Sequence, residues 1–107
     1  MAARNIDSIH FHKLSENSKP VLVDFWAPWC GYCRRIAPAY DKIAQQFEGE
    51  IEVVKINIDE EPHFAQAEGI EVIPTLVLYK NGKAADSIVA PDSKAAIEDF
   101  IHQALKK

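Results

Sequence analysis

The sequence predicts an α/β fold, with a central mixed β-sheet flanked by helices on both faces. Residues 20–27 (PVLVDFWA) are almost all apolar and β-favouring, which is typical of a strand buried on both faces. An apolar pattern at helical spacing follows, and residues 51–58 (IEVVKINI) then predict a second strand parallel to the first. The pair Asn81-Gly82, between two further β-favouring segments, predicts an antiparallel hairpin. Parallel and antiparallel strands together make the predicted sheet a mixed one.

The other elements follow from apolar periodicity and from capping residues. A long helix is predicted from about Cys30 to Phe47, because apolar residues recur there at helical spacing and Gly49 ends the pattern. A C-terminal helix has Asp92 or Ser93 as its expected N-cap. The remaining predictions are two short helices at about 7–15 and 62–68, and the two hairpin strands at about 75–79 and 85–90.

Length and composition limit the classes of protein to consider. The 107 residues fit a single domain, and 48% hydrophobic with 26% charged residues is the composition of a folded protein. A net charge of −4 argues against a nucleic-acid or anionic-membrane binder, since both need concentrated positive charge. No apolar run approaches the roughly 20 residues of a membrane-spanning helix, and the N-terminus lacks a signal-peptide pattern. We therefore expect a monomeric, cytoplasmic protein, unless a leader was removed before residue 1.

The most informative feature is the pair of cysteines in Cys30-Gly31-Tyr32-Cys33. This segment joins the first strand to the long helix, where chemistry tends to occur in α/β sheets. Residues three apart in a first helical turn are neighbours, so the two sulfurs can bond without large backbone movement. The helix N-terminus favours a thiolate and lowers the expected pKa of Cys30, which becomes the candidate nucleophile. Cys33, one turn deeper, is the candidate resolving thiol.

Other interpretations of the two cysteines stay open on the residues alone. A purely structural disulfide closing so short a loop would stabilise the fold little. A zinc site would need two further ligands, and the four histidines are dispersed along the chain. Two unreactive buried thiols are the third alternative. The position at a strand-to-helix junction favours a redox-active dithiol.

Four ordered segments resemble thioredoxins. They are residues 23–33 (VDFWAPWCGYC), 36–38 (IAP), 55–59 (KINID) and 69–82 (GIEVIPTLVLYKNG). The likeness runs in order along essentially the whole chain. It implies the thioredoxin fold and a thiol–disulfide oxidoreductase that reduces protein disulfides through Cys30 and Cys33. It also implies no cofactor beyond that redox-active disulfide, protein disulfides as substrates, and thioredoxin reductase or another dithiol donor as partner.

The resemblance also implies roles for residues around the cysteines. Asp24 would move protons to and from the resolving thiol, and Lys55 would temper the pKa of Asp24. A carboxylate in a doubly buried strand should have a raised pKa, although an edge-strand Asp24 and a solvated Lys55 are the alternatives from the residues alone. The Ile73–Pro74 peptide bond would be cis, leaving the Ile73 backbone free to pair with substrate. The implied substrate-binding residues are Trp29, Gly31, Tyr32, Ile73, Pro74 and Ala90.

Two residues depart from the family pattern. Tyr32 stands where thioredoxins usually have proline, so it restores an N–H donor at the helix N-terminus. This donor predicts a more stable Cys30 thiolate and a more oxidising potential than that of a typical thioredoxin. Ala90 stands where glycine is usual, and its methyl group is expected to narrow the substrate groove. The alternative functions are an oxidase or isomerase of the same fold, and a redox-dependent protein-binding module in which the apolar patch around Trp29 and Ile73 matters more than turnover.

Overall fold

The computed structural model describes residues 3–107. Within these residues the chain forms five β-strands and four α-helices. In chain order they are β1 (Arg4–Asn5), α1 (Ser8–Ser15), β2 (Val21–Trp26), α2 (Gly31–Gln46), β3 (Glu52–Asn57), α3 (Pro62–Ala67), β4 (Thr75–Lys80), β5 (Lys83–Val89) and α4 (Lys94–Leu105). The bounds of the predicted helices and of the first three predicted strands agree with these to within about two residues.

The strands form one mixed sheet in the order β1-β3-β2-β4-β5, with β2 at its centre. Strand β3 runs parallel to both β1 and β2, whereas β4 is antiparallel to β2 and to β5. The predicted parallel strand–helix–strand unit and the predicted antiparallel hairpin are therefore both present. Within residues 3–107, no helix is both long and apolar enough to cross a membrane.

Side chains alternate along the strands and build a separate apolar cluster on each face of the sheet. Leu22 and Leu76 lie on the face covered by α2 and α4, and they pack with Tyr40 of α2. Val23 and Phe25 lie on the opposite face, where α1 and α3 pack. Because β2 is covered on both faces, its residues Val21–Phe25 are all buried. This agrees with the nearly continuous apolar run from which the strand was predicted.

Three details of the fold differ from the sequence prediction or settle a choice that it left open. Strand β1 was not predicted, because Arg4 and Asn5 are polar and exposed and form a strand by pairing with β3. Strand β5 begins at Lys83 rather than near residue 85, because Asn81 and Gly82 both have positive φ and form a tight two-residue turn. The N-cap of α4 is Ser93, whose side chain accepts a hydrogen bond from the Ala96 N–H.

Candidate active site

The two cysteines lie at the N-terminus of α2, at the end of the connection from β2. Cys30 is the N-cap, Gly31 is the first helical residue, and a disulfide joins Cys30 to Cys33 across a Cα–Cα distance of 5.3 Å. The Cys33 N–H donates a hydrogen bond to the Cys30 Sγ at 3.2 Å. Cys30 is 8% exposed and Cys33 is 3% exposed, in the predicted order. An N–H directed at the Cys30 sulfur favours a thiolate there once the disulfide is reduced.

The segment around Pro74 lies against the cysteines. Ile73 packs on the small cluster that Cys30 and Cys33 form with Ala27, and the Ile73–Pro74 peptide bond is cis, as the resemblance implied. Among the residues that the structure describes, no backbone hydrogen bond occupies the N–H or carbonyl of Ile73. The backbone of Ile73 is therefore available to an extended segment of another chain.

Trp29 forms an apolar surface beside the disulfide. Its side chain is 65% exposed, and its indole N–H donates to the carboxylate of Asp59 at 3.0 Å to Oδ2 and 3.2 Å to Oδ1. Asp59 is itself oriented by its N–H, which donates to the Asn57 side chain at 2.9 Å. No role was predicted for Asp59. Asp59 lies two residues beyond β3, at the end of the sheet where Cys30 follows β2. That position was the signal by which Asp59 could have been placed near the active site.

The two residues that depart from the family pattern lie on facing segments. The Tyr32 hydroxyl donates to the Pro91 carbonyl at 3.1 Å, and the Ala90 N–H donates to the Pro74 carbonyl at 2.9 Å. Ala90 is exposed and adopts a φ of 46°, which glycine accommodates more easily. The contact with Pro91 was not anticipated from the sequence, since the two residues are 59 positions apart.

Asp24 is buried in the central strand, so the edge-strand alternative is wrong. Its side chain is 2% exposed, and its partner in the parallel register is Lys55 of β3. Burial raises the pKa of Asp24 to about 7, and the nearby positive charge of Lys55 opposes that rise. Within residues 3–107 no group hydrogen-bonds to the Asp24 Oδ1. Lys55 is half-buried, with its ammonium 4.6 Å from the centroid of the Trp26 ring.

A family model described as thioredoxin matches residues 3–103. The chain belongs to the thioredoxin family. Thioredoxin 1 of Nostoc sp. is 46% identical over 104 residues, which cover 97% of each chain. Thioredoxin 1 of Synechococcus elongatus is 44% identical over 105 residues, 98% of each chain.

A solved structure gives the same result for the fold. Thioredoxin of Malassezia sympodialis superposes with a TM-score of 0.87 at 32% identity, covering 96% of this chain and 90% of that one. The predicted thioredoxin fold and activity are confirmed. This thioredoxin-family chain is a protein-disulfide oxidoreductase that acts by dithiol–disulfide exchange through Cys30 and Cys33.

Family membership also bears on cofactors and partners. Thioredoxins are cofactor-free, and the family points to protein disulfides as substrates and to a reductase as partner. Within the described part of the chain, no three His, Cys, Asp or Glu side chains are grouped so that they could hold a metal ion. The zinc interpretation of the cysteine pair therefore gains no support from the structure.

Proposed function

We propose that Cys30 is the nucleophile and Cys33 the resolving thiol of a protein-disulfide reductase. The Cys30 thiolate attacks one sulfur of a substrate disulfide, forms a mixed disulfide and releases the other sulfur as a thiolate, which takes up a proton. The Cys33 thiolate then attacks the Cys30 sulfur, so the second substrate thiolate leaves and the Cys30–Cys33 disulfide forms. The observation that supports this order is the N-cap position of Cys30, whose sulfur accepts the Cys33 N–H.

Asp24 is the proposed proton acceptor for the Cys33 thiol. Asp24 and Leu22 lie on the same face of β2, and Leu22 packs against α2, the helix that carries Cys33. Because the pKa of Asp24 is about 7, its carboxylate can take up and return a proton at neutral pH. Lys55 is the proposed tuning residue, since its positive charge keeps this pKa from rising further.

The proposed substrate-binding surface surrounds Cys30. Trp29 offers an exposed apolar face. The backbone of Ile73, which no other backbone group within residues 3–107 bonds, offers hydrogen bonds to an extended substrate segment. The methyl group of Ala90 narrows the groove beside that segment. The full proposed set is Trp29, Gly31, Tyr32, Ile73, Pro74 and Ala90.

We further propose that residues 1–107 act as one domain, as a monomer, in the cytoplasm and without a bound cofactor. Strand β2 contributes to the apolar clusters on both faces, which also contain Phe11 near one end of the chain and Ile101 near the other, and this supports a single domain. Electrons come from thioredoxin reductase or another dithiol donor. The net charge of −4 supports the absence of nucleic-acid and membrane partners.

Reduction of insulin tests the assignment, with a thioredoxin reductase and NADPH as the electron source. We expect multiple turnovers for the wild type, none for Cys30→Ser, and accumulation of a mixed disulfide with one substrate per chain for Cys33→Ser. Sedimentation equilibrium on the same preparation measures the oligomeric state. A wild type that captures disulfide proteins without turning them over would instead indicate a binding module.

A further inference from the structure

Two hydrogen bonds tie together the three segments that surround Cys30. The Tyr32 hydroxyl, in the first turn of α2, donates to the Pro91 carbonyl at 3.1 Å. The adjacent Ala90 N–H donates to the Pro74 carbonyl at 2.9 Å. The loop that follows β5, residues 90–91, is therefore bonded on one side to the helix that carries the cysteines and on the other to the segment that offers its backbone to substrate.

This loop does not hold its conformation by intrinsic preference. Ala90 has a φ of 46°, in the left-handed region where the Cβ of an L-residue makes close contacts. Such a conformation is unfavourable for an L-residue and persists only when neighbouring contacts impose it. Pro91 has no N–H of its own, so its carbonyl is the backbone group through which Tyr32 can hold it.

The side chain of Tyr32 is placed to supply that restraint. It is half-buried and packs both on the cysteine cluster and on the apolar cluster beneath α2 and α4. A groove of about 170 Å³ borders it, with Arg35, Asp92 and Ser93 among its other lining residues. Since the ring is not enclosed on this side, the bond from its hydroxyl to Pro91 is a direct polar restraint between the ring and the loop.

We propose that Tyr32 is a positioning residue that fixes the strained Ala90–Pro91 loop beside Ile73 and so favours substrates that bind as an extended protein segment. This inference rests on the substrate-binding role proposed above for Ile73 and Ala90. Without the hydroxyl, Ala90 relaxes away from positive φ and the groove beside Ile73 changes shape. A folded protein disulfide then binds less well. A small disulfide is affected less, because it needs little beyond the Cys30 sulfur.

The test compares Tyr32→Phe, which keeps the ring, with the wild type. One hydrogen bond of about 0.5–1.5 kcal/mol corresponds to roughly a two- to tenfold change, so we expect KM for a protein disulfide to rise by that factor while kcat stays within about twofold. With a small aromatic disulfide, the rate of its reduction is expected to change by a clearly smaller factor than the KM for the protein disulfide. In the Ala90→Gly background, Tyr32→Phe should change KM less than it does in the wild type, since glycine adopts positive φ without a Cβ contact and does not need the restraint.

Tyr79→Phe is the matched control. It also removes one tyrosine hydroxyl bond, the one to Glu68 at 2.6 Å, at the end of β4 far from Pro74. It should leave unchanged both the KM for the protein disulfide and the rate with the small disulfide. The proposal would be overturned if Tyr32→Phe left KM unaltered, if it changed small and protein disulfides equally, or if it changed KM by the same factor in the Ala90→Gly background.

Amide hydrogen exchange separates this proposal from the proposed function. We expect the Ala90 N–H to exchange severalfold faster in Tyr32→Phe than in the wild type, because its bond to Pro74 is no longer held by the loop. If the wild type fails to turn over insulin, the proposed function is wrong, and the exchange rate still tests the role of Tyr32. If turnover is normal but the Ala90 exchange rate does not change, the positioning role is wrong.

Discussion

Two polar side chains, those of Tyr40 and Asp24, are buried on the same face of the sheet but differ in their hydrogen-bond partners. The Tyr40 hydroxyl is fully buried and lies within hydrogen-bonding distance of two backbone carbonyls, 2.7 Å from Val54 and 3.1 Å from Leu22. The Asp24 carboxyl is 2% exposed, and within residues 3–107 its Oδ1 has no hydrogen-bond partner. A buried polar group without a partner destabilises a fold, so the environment of Tyr40 favours stability and that of Asp24 does not.

The difference extends to protonation. Burial raises the pKa of both groups. The pKa of Tyr40 lies well above its ordinary value, so its hydroxyl stays neutral at physiological pH. The pKa of Asp24 is about 7, so its carboxyl exchanges its proton at that pH. The same apolar surroundings thus produce a stabilising contact at Tyr40 and, at Asp24, a carboxyl with the pKa that its proposed proton-accepting role requires. This comparison predicts that changes near the cysteines alter chemistry and changes around Tyr40 alter stability.

The largest expected effect comes from Cys30→Ser, which should greatly reduce turnover while leaving stability nearly unchanged. Turnover should fall by roughly 1,000-fold or more, because a serine hydroxyl is not ionised at neutral pH and cannot form the mixed disulfide. Under reducing conditions the free energy of unfolding, measured by urea titration, should stay within about 1 kcal/mol of the reduced wild type. A variant that unfolds without denaturant would show that Cys30 belongs to the packing of the core as well.

Asp24→Asn is expected to raise stability at high pH while slowing the chemistry. In the wild type, the unfolded chain releases the Asp24 proton from about pH 4, but the folded chain keeps it until about pH 7. The free energy of unfolding therefore falls as pH rises from about 4 to 7, and the contribution present below pH 4 is lost above pH 7. The pKa difference corresponds to about 4 kcal/mol, at about 1.4 kcal/mol per pKa unit. Urea titrations of Asp24→Asn should lack this fall, so the variant is the more stable protein at pH 8.

Asp86→Asn is the control. The bond to Lys107 lowers the pKa of Asp86, so ionisation of Asp86 raises the free energy of unfolding, whereas ionisation of Asp24 lowers it. That variant should gain no stability at high pH. In single-turnover experiments at pH 7, Asp24→Asn should resolve the mixed disulfide about 100-fold more slowly than the wild type, the loss typical of a removed general base. An unchanged resolution rate would exclude Asp24 as the proton acceptor.

The parts of the fold that follow from local periodicity were predictable from the sequence. Strand β2 was evident because both of its faces are covered and nearly every residue in it is apolar. Helix α2 was evident from its apolar spacing, and the hairpin from Asn81-Gly82. Strand β1 was not, because its two polar residues have no strand pattern of their own and depend on pairing with β3.

In the active site, too, some contacts follow from local geometry and others depend on how the elements pack. Cys30 and Cys33 are three residues apart, so their meeting could be derived from helix geometry alone. The bond from Trp29 to Asp59 joins residues 30 positions apart, and that from Tyr32 to Pro91 joins residues 59 apart. Such contacts depend on how the elements pack together. The position of Asp59 just after β3 indicates only the end of the sheet at which it lies, and not its bond to Trp29.

The opposite result from that of Cys30→Ser is expected for Tyr40→Phe. Loss of a buried hydroxyl that bonds to backbone carbonyls should lower the free energy of unfolding by about 1–2 kcal/mol. Insulin reduction at 25 °C should stay within twofold of the wild type. Urea titration and turnover on the same preparation measure both. If Tyr40→Phe also lowered turnover by much more than twofold, packing around Tyr40 would affect the chemistry of the active site, contrary to this prediction.

The smallest effect concerns the Tyr32 backbone at the edge of the active site. In Tyr32→Pro one N–H of the first turn of α2 is lost, so the Cys30 thiolate is less stabilised and the potential becomes more reducing. The Cys30 sulfur itself accepts the Cys33 N–H, so the Tyr32 N–H acts through the partial positive charge of the helix N-terminus. A contribution of about 0.5 kcal/mol corresponds to about 10 mV for this two-electron couple. Equilibration with glutathione buffers measures the shift. Tyr32→Ala is the control, since it removes the ring and hydroxyl but keeps the N–H, and its potential should stay near that of the wild type. Equal shifts in the two variants would assign the effect to the side chain and its bond to Pro91 rather than to the backbone donor.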